Sequence, residues 1–254
     1  MIKFLLTGNK MKKLTVLFAL FLFVGASAYA SDYNFDNFYN NANKQNLPEF
    51  AKDMGGLLGS GAFTTGRILG WGGFQLSARG AVMPRPADKD TALGSKDDAK
   101  PIVMPWIQGE IGLPFRLDGF IRASSWDGLT IAGGGLKWAI VRPTDSLYSL
   151  QPMIVVMGQS GVHKDFSLTQ YSADFVVSLK LPYVVPYIGG GVDRTKLTAQ
   201  NAADASIVGC KETEITPRGT LGVNVKLPSY MDLSVAANYA HYGVGGEASF
   251  GVRF

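Results

Sequence analysis

Residues 246–254 read GEASFGVRF. Taken two at a time, Ala248, Phe250, Val252 and Phe254 point one way, and Glu247, Ser249, Gly251 and Arg253 point the other. One face is apolar and the other polar. A strand of this kind sits between two unlike surroundings, and it calls for partners with the same period elsewhere in the chain.

From Trp71 onward the period of two recurs. Phe74, Leu76, Ala78, Gly80 and Val82 alternate with Gln75, Ser77, Arg79 and Ala81. Val103, Ile107, Gly109 and Ile111 alternate with Gln108 and Glu110, and Leu117, Gly119, Ile121 and Ala123 with Asp118, Phe120, Arg122 and Ser124. A fourth strand places Leu136, Trp138 and Ile140 opposite Lys137. A fifth, Leu150 to Ser160, is apolar on both faces, which leaves its register open. A sixth sets Tyr171, Ala173, Phe175, Val177 and Leu179 against Ser172, Asp174, Ser178 and Lys180. The seventh runs from Val184 to Arg194 through Gly189, Gly190 and Gly191. The eighth and ninth follow, with Leu221, Val223 and Val225 opposite Arg218, Thr220, Asn224 and Lys226, and Leu233, Val235, Ala237 and Tyr239 opposite Asp232, Ser234 and Asn238. The opening stretch is the tenth. The fold class expected over residues 70–254 is all-β, a single transmembrane antiparallel up-and-down β-barrel of about ten strands. A soluble β-sandwich satisfies the same alternation, and it accounts less well for small and aromatic outer faces.

The connections alternate in chemistry. Leu113-Pro114-Phe115, Leu181-Pro182-Tyr183 and Leu227-Pro228-Ser229 repeat one short turn, and Arg142-Pro143-Thr144-Asp145 resembles them. Proline ends a ladder by removing a donor. The long polar segments 84–101 and 195–213 fall on the opposite side, as loops and turns do in a membrane barrel.

Ahead of the barrel lie two further regions. Lys10, Lys12 and Lys13 precede an apolar run from Leu14 to Val24, and Ala28-Tyr29-Ala30 supplies a small-x-small cleavage pattern, so residues 1–30 read as a signal peptide and export is expected. Removing them takes four lysines and no acid, which lowers the formal charge from +4 to zero. The sequence pI of 9.0 therefore supports no nucleic-acid partner. Residues 31–60 read as a polar leader and a short amphipathic helix, with Leu47, Phe50, Ala51, Met54, Leu57 and Leu58 on one face. Asn46 and Glu49 have the spacing of a capping box, Pro48 suits the first turn, and Gly55, Gly56 and Gly59 are expected to weaken and stop the helix. Its apolar face must be buried at the barrel mouth, inside the barrel or in the lipid interface.

The closing strand, ending on aromatic Phe254, resembles that of bacterial outer-membrane β-barrels. The stretch 48–76, PEFAKDMGGLLGSGAFTTGRILGWGGFQL, narrows the resemblance to an uncharacterised family of small barrels with a helix before the first strand. The resemblance implies the bacterial outer membrane as location, with outer-membrane lipids and lipopolysaccharide and the barrel assembly machinery as partners. It also implies that Phe250, Val252 and Phe254 serve as the assembly signal. It implies no reaction.

The residues themselves offer little chemistry. The chain has two histidines, His163 and His241, both read as exposed loop residues without a nucleophile beside them, so no enzyme activity is expected. The sole cysteine, Cys210, falls in a polar loop. Asp88, Asp90, Asp97 and Asp98 read as a solvated acidic loop, and with no cluster at ligand spacing neither a metal nor a cofactor is expected. What remains is the polar face, expected to point into the lumen. It carries Arg79, Arg122, Lys137, Lys180, Arg218, Lys226 and Arg253 against Glu110, Asp118, Asp174, Asp232 and Glu247. Three functions are compatible: a narrow passive channel with the helix gating its periplasmic mouth, a structural or surface-binding barrel with a filled lumen, and, ranked last, a lipid-modifying enzyme.

Overall fold

The computed structural model describes residues 35–94, 101–144 and 146–254. The expected signal peptide, the start of the leader, and Asp97, Asp98 and Asp145 lie outside the described residues. Ten antiparallel strands close on themselves: β1 (Phe74–Met83), β2 (Ile102–Leu113), β3 (Leu117–Trp126), β4 (Leu129–Ala139), β5 (Leu150–Val162), β6 (Phe166–Leu179), β7 (Val184–Ala199), β8 (Lys211–Leu227), β9 (Met231–Ala240) and β10 (Gly243–Arg253). Each strand pairs with its neighbours in sequence, and β10 returns to β1 with Phe250 opposite Ala78 and Glu247 opposite Ala81. Closure abolishes sheet edges along the paired length and excludes the sandwich.

Burial alternates along every strand and fixes the register. In β1 Gln75, Ser77 and Arg79 are buried, and in β9 so are Asp232, Ser234 and Asn238, while Leu76, Leu233, Val235 and Tyr239 are exposed. The polar face is inside. On β7 the outer face runs Val184, Pro186, Ile188, Gly190, Val192 and then turns charged at Arg194 and Lys196. On β6 it runs from Leu179 to Tyr171 before Thr169. An apolar stretch of this length matches the 9–11 residues with which a tilted strand crosses hydrocarbon. Phe74, Phe115, Trp138, Tyr148, Tyr183, Tyr230 and Phe254 are exposed around one rim, an aromatic girdle. That rim, where β1 begins and β10 ends, is here called the near end.

The near end carries the short Leu-Pro turns at 114–116, 180–183 and 228–230, with the longer 140–149 connection between β4 and β5. At the far end only two of five connections are long, 84–101 and 200–210. The second is shorter than the expected 195–213, because the period of two continues past the apolar belt. Thr195, Leu197 and Ala199 still face inward, so β7 and β8 project beyond it. The strand reading stopped too early there because polar outer residues replaced apolar ones. Asp127-Gly128, with both φ values positive, makes a two-residue far turn, as His241-Tyr242 does between β9 and β10.

Residues 35–73 run through the barrel from the far end to the near end. The first helix, α1 (Asn37–Asn41), caps the far mouth, and α2 (Leu47–Gly59) descends into the lumen. Of the three sites open to it, the helix therefore occupies the interior. Asn46 does not cap α2 with its side chain. It accepts from the Asn43 amide and donates to the Asn41 carbonyl and to Thr91 of the far loop, while Glu49 pairs with Lys52 and His241. Tertiary partners outbid the local box. Gly59 is the last residue of α2, as expected of a stop, while Gly55 and Gly56 do not interrupt the helix. A Cβ at Gly56 would sit 2.5 Å from the Ala240 Cβ, and one at Gly59 would meet Asp193 and Arg218, so their absence of side chain is what lets the helix lie against the wall. Replacing Gly56 by leucine should expel α2 at a cost of about 1–3 kcal/mol. The expected outcome is a barrel that still runs folded on an unheated gel but is cut by trypsin at Lys52 or Arg67, sites that stay protected in the parent protein.

Candidate functional site

Charged side chains of both signs converge in the filled lumen. α2 ends inside it, and the last carbonyls of any helix have no partner within that helix. Here the wall supplies them. Gln170 Nε2 donates to the Gly55 carbonyl at 2.6 Å, and Gln159 Nε2 to Leu58 at 2.8 Å. Arg122 donates to both Leu58 and Ser60, the latter at 3.0 Å. Arg79 reaches Gly61 at 2.9 Å, and Gln108 reaches Ala62 at 3.4 Å. Two guanidiniums thus face the negative end of the helix, where cations are favoured. Ser60 is held a second time, its hydroxyl donating to Gly56 and accepting from Asn238 at 2.8 Å.

These donors are themselves fixed. Arg79 pairs with Glu110, whose other oxygen takes Lys137 Nζ at 2.7 Å, and Gln108 adds a bond at 2.8 Å. Arg122 stacks over Trp106 at 4.2 Å and is steadied by Gln159. Arg218 bridges Asp174 at 2.8 Å and Asp193 at 2.9 Å. All of these side chains are buried. A buried charge survives only if it is compensated: Arg79 and Arg218 are paired with carboxylates, whereas Arg122 is held by the Leu58 and Ser60 carbonyls, Gln159 and the Trp106 face.

Toward the near end the polarity changes. Phe63 and Ile68 pack with Phe120, Met153, Val155, Met157, Val176 and Tyr187, and Phe63 meets Tyr187 edge to face at 6.1 Å. Met153, Val155 and Met157 are the inward face of β5, whose register the sequence left open. The seal is completed by Gly66, bonded through its amide to Ser178 Oγ at 3.0 Å, and by Leu69, bonded to Asp118 Oδ2 at 2.6 Å. The segment after the helix, and not α2, closes the near mouth.

At the far mouth Phe35, Phe38, Phe50 and Phe166 form an aromatic lid with centroid spacings of 4.9 to 5.9 Å. His163, expected to be exposed, is buried against it and stacks on Phe166 at 4.9 Å. His241 Nε2 lies 2.8 Å from Glu49 Oε2. Asp36, Asp127 and Asp165 approach His163, so a cluster with ligand-bearing side chains does exist, its ends 129 positions apart in a sequence that spacing rules do not span. Where β8 outruns β9 a cleft of about 580 Å³ opens, lined by Lys52, Ile215, Pro217, Tyr239 and His241 among others.

Of the residues expected in the lumen, Arg79, Glu110, Arg122, Lys137, Asp174, Arg218, Asp232 and Glu247 are buried within it, as is Asp118. Asp232 accepts from Gln75 at 2.8 Å and Asn224 at 3.0 Å, and Glu247 from Asn238 at 3.1 Å. Lys180 and Lys226 lie at the near rim, and Arg253 stands there partly exposed, 3.5 Å from Asp232. Phe250 and Val252 face outward, and the Phe254 main chain exchanges two hydrogen bonds with Phe74, closing the barrel. Sequence reasoning missed Asp53, Gln159, Gln170 and Asp193, uncharged or isolated polar residues whose partners are set by the helix inside. It also misjudged Asp90, which is buried rather than solvated.

No family model and no curated protein matches the chain. Among solved structures it is similar to a KdgM porin at 8% identity, over 71% of this chain and 99% of that one, with a TM-score of 0.38. It is similar to LpxR from Salmonella typhimurium at 8% identity, over 70% and 99%, with a TM-score of 0.37. The N-terminal β-barrel domain of Pseudomonas aeruginosa OprF follows at 10% identity, over 73% and 99%, with a TM-score of 0.35.

Asp53 of α2 meets Asp90 of the far loop in a buried carboxyl pair. Asp53 Oδ2 accepts from the Ala87 amide at 2.7 Å and Asp90 Oδ1 from Ala92 at 3.1 Å, which leaves Asp53 Oδ1 and Asp90 Oδ2 to share a proton. Burial first, and then the Asp90 charge, push the Asp53 carboxyl up to about 9. An acid raised in the folded state binds protons there that the unfolded chain has lost, so stability is full at acid pH and declines as pH climbs from the ordinary carboxylate range toward 9. Asp53→Asn keeps a donor toward Asp90 without the titration. Between pH 6 and pH 10 the parent should lose roughly 1–3 kcal/mol more than this variant, read as the fall in thermal unfolding midpoint in detergent.

Proposed function

We propose that this chain is an outer-membrane β-barrel held shut by its own N-terminal segment, a structural or surface-presenting barrel with a filled lumen. The observation that carries this reading is the set of wall donors, Gln170, Gln159, Arg122, Arg79 and Gln108, spent on the carbonyls of residues 55 to 62. Side chains lining an open channel face water and solute, whereas these are committed to backbone. The apolar cluster of Phe63 and Ile68 with residues of β3, β5, β6 and β7 fills the lower lumen as well. The near end is then periplasmic, and Phe254 the terminus that the assembly machinery reads. The apolar belt supports contact with lipid, and the projecting β7–β8 hairpin, with Arg194, Lys196 and Lys211, faces outward beyond it toward lipopolysaccharide.

The passive channel becomes a state reached only when residues 35–69 leave. The enzyme reading ranks last, since Glu49, the partner of His241, is already tied to Lys52 at 2.9 Å. In planar bilayers the intact protein should show no steady conductance, and a variant lacking residues 35–69 should conduct continuously. Equal conductance from both would restore the open channel.

A further inference from the structure

The buried His163 imidazole accepts from the Asp165 amide through Nδ1 at 3.3 Å and leaves its other nitrogen unused. It is 2% exposed, Asp165 is 1% exposed, and His163 Nε2 and Asp165 Oδ2 have no hydrogen-bond partner. Leaving such atoms unpartnered in a packed site is costly, and each one calls for an explanation. Both turn toward the place where the N-terminal segment docks. Nε2 is 3.5 Å from Asp36 Oδ1, Asp165 Oδ2 is 3.7 Å from Nδ1, and one ligand atom from each of the three residues lies within 4.8 Å of the others. Asp127 stands behind them, accepting from the Phe35 amide at 2.9 Å, and adds a third carboxylate to the surroundings.

We propose that Asp36, His163 and Asp165 form a divalent metal site, zinc by its ligand chemistry, that latches the outer end of the lumen segment to the β5–β6 turn. Two ligands on one tetrahedral zinc stand about 3.4 Å apart, given bonds near 2.05 Å. The His163–Asp36 spacing already meets this, and the widest pair, within 4.8 Å, must close by at most about 1.4 Å, within reach of a carboxylate rotation. One nitrogen and two carboxylate oxygens suit zinc and its neighbours better than calcium, which takes six to eight oxygens. A fourth position is left to water. The competitor is Lys164, whose Nζ lies 2.6 Å from Asp36 Oδ1 while its side chain remains largely exposed. Zinc would displace it into water.

That competition gives the site a signature. Zinc chloride titrated calorimetrically into chelator-treated folded barrel should bind one ion per chain. Asp36→Asn, at a half-exposed position that leaves the barrel intact, and His163→Asn should each weaken binding at least tenfold, while Lys164→Gln should strengthen it. In the parent, zinc should also slow proteolysis near Lys44, and magnesium should not. If His163→Asn fails to run folded on an unheated gel, Asp36→Asn and Lys164→Gln decide alone. Absence of stoichiometric binding in the parent, equal affinity in Asp36→Asn, or weaker binding in Lys164→Gln overturns the proposal.

Discussion

A helix that ends inside a barrel leaves carbonyls that water cannot reach, and in this protein the wall must answer them. The constraint is strict because buried backbone acceptors without donors cost about 1–3 kcal/mol each. Arg122, Arg79, Gln159 and Gln170 meet it directly, and the rest of the interior follows from keeping those four in place. Glu110 orients Arg79 and takes Lys137 as a second cation, while Trp106 gives Arg122 a face to lie on. The network is better understood as a socket for a helix terminus than as a pore lining.

The same requirement explains how three regimes stack along one lumen. At the far mouth the segment enters under an aromatic lid, where Phe38 and Phe50 of the segment meet Phe166 of the wall. At mid-height the helix terminus demands donors, and charge is concentrated there. Below it the chain is irregular and its backbone bonds run to Ser178 and Asp118, so side chains such as Phe63 and Ile68 are free to fill the space with apolar contact. Outside, none of this shows. The exterior obeys only the lipid rule, apolar along the belt and aromatic at the near rim.

The strands were legible because period two is a local property. Gln75, Arg79, Asp232 and Asn238 announced the inner face without any knowledge of what they touch, and the Leu-Pro turns marked one end. β5 was not, since Met153 and Val155 face Phe63 and its neighbours instead of water and so match the lipid-facing Ile154 and Val156 in character. The content of the lumen was half legible. The amphipathic pattern of Leu47 to Leu58 called for burial, but nothing in it names the surface that buries it. Gly59 does end the helix, but the packing that also requires Gly56 and Gly59, against Ala240 on one side and Asp193 with Arg218 on the other, lies well over a hundred residues away. His163 and Asp90 read as loop residues for the same cause, each being covered by a segment distant in sequence.

The account stands on α2 lying within the barrel, and one cross-link tests that position directly. A Cβ at Gly55 would lie 3.5 Å from the Thr195 Cβ, at the short end of disulfide geometry. Gly55→Cys with Thr195→Cys, in a Cys210→Ser background, should close a disulfide in the folded protein, seen as a shifted band that reverts on reduction, while either single variant gives none. A barrel that folds normally yet keeps both thiols free under oxidant would place the helix outside the lumen and contradict the account.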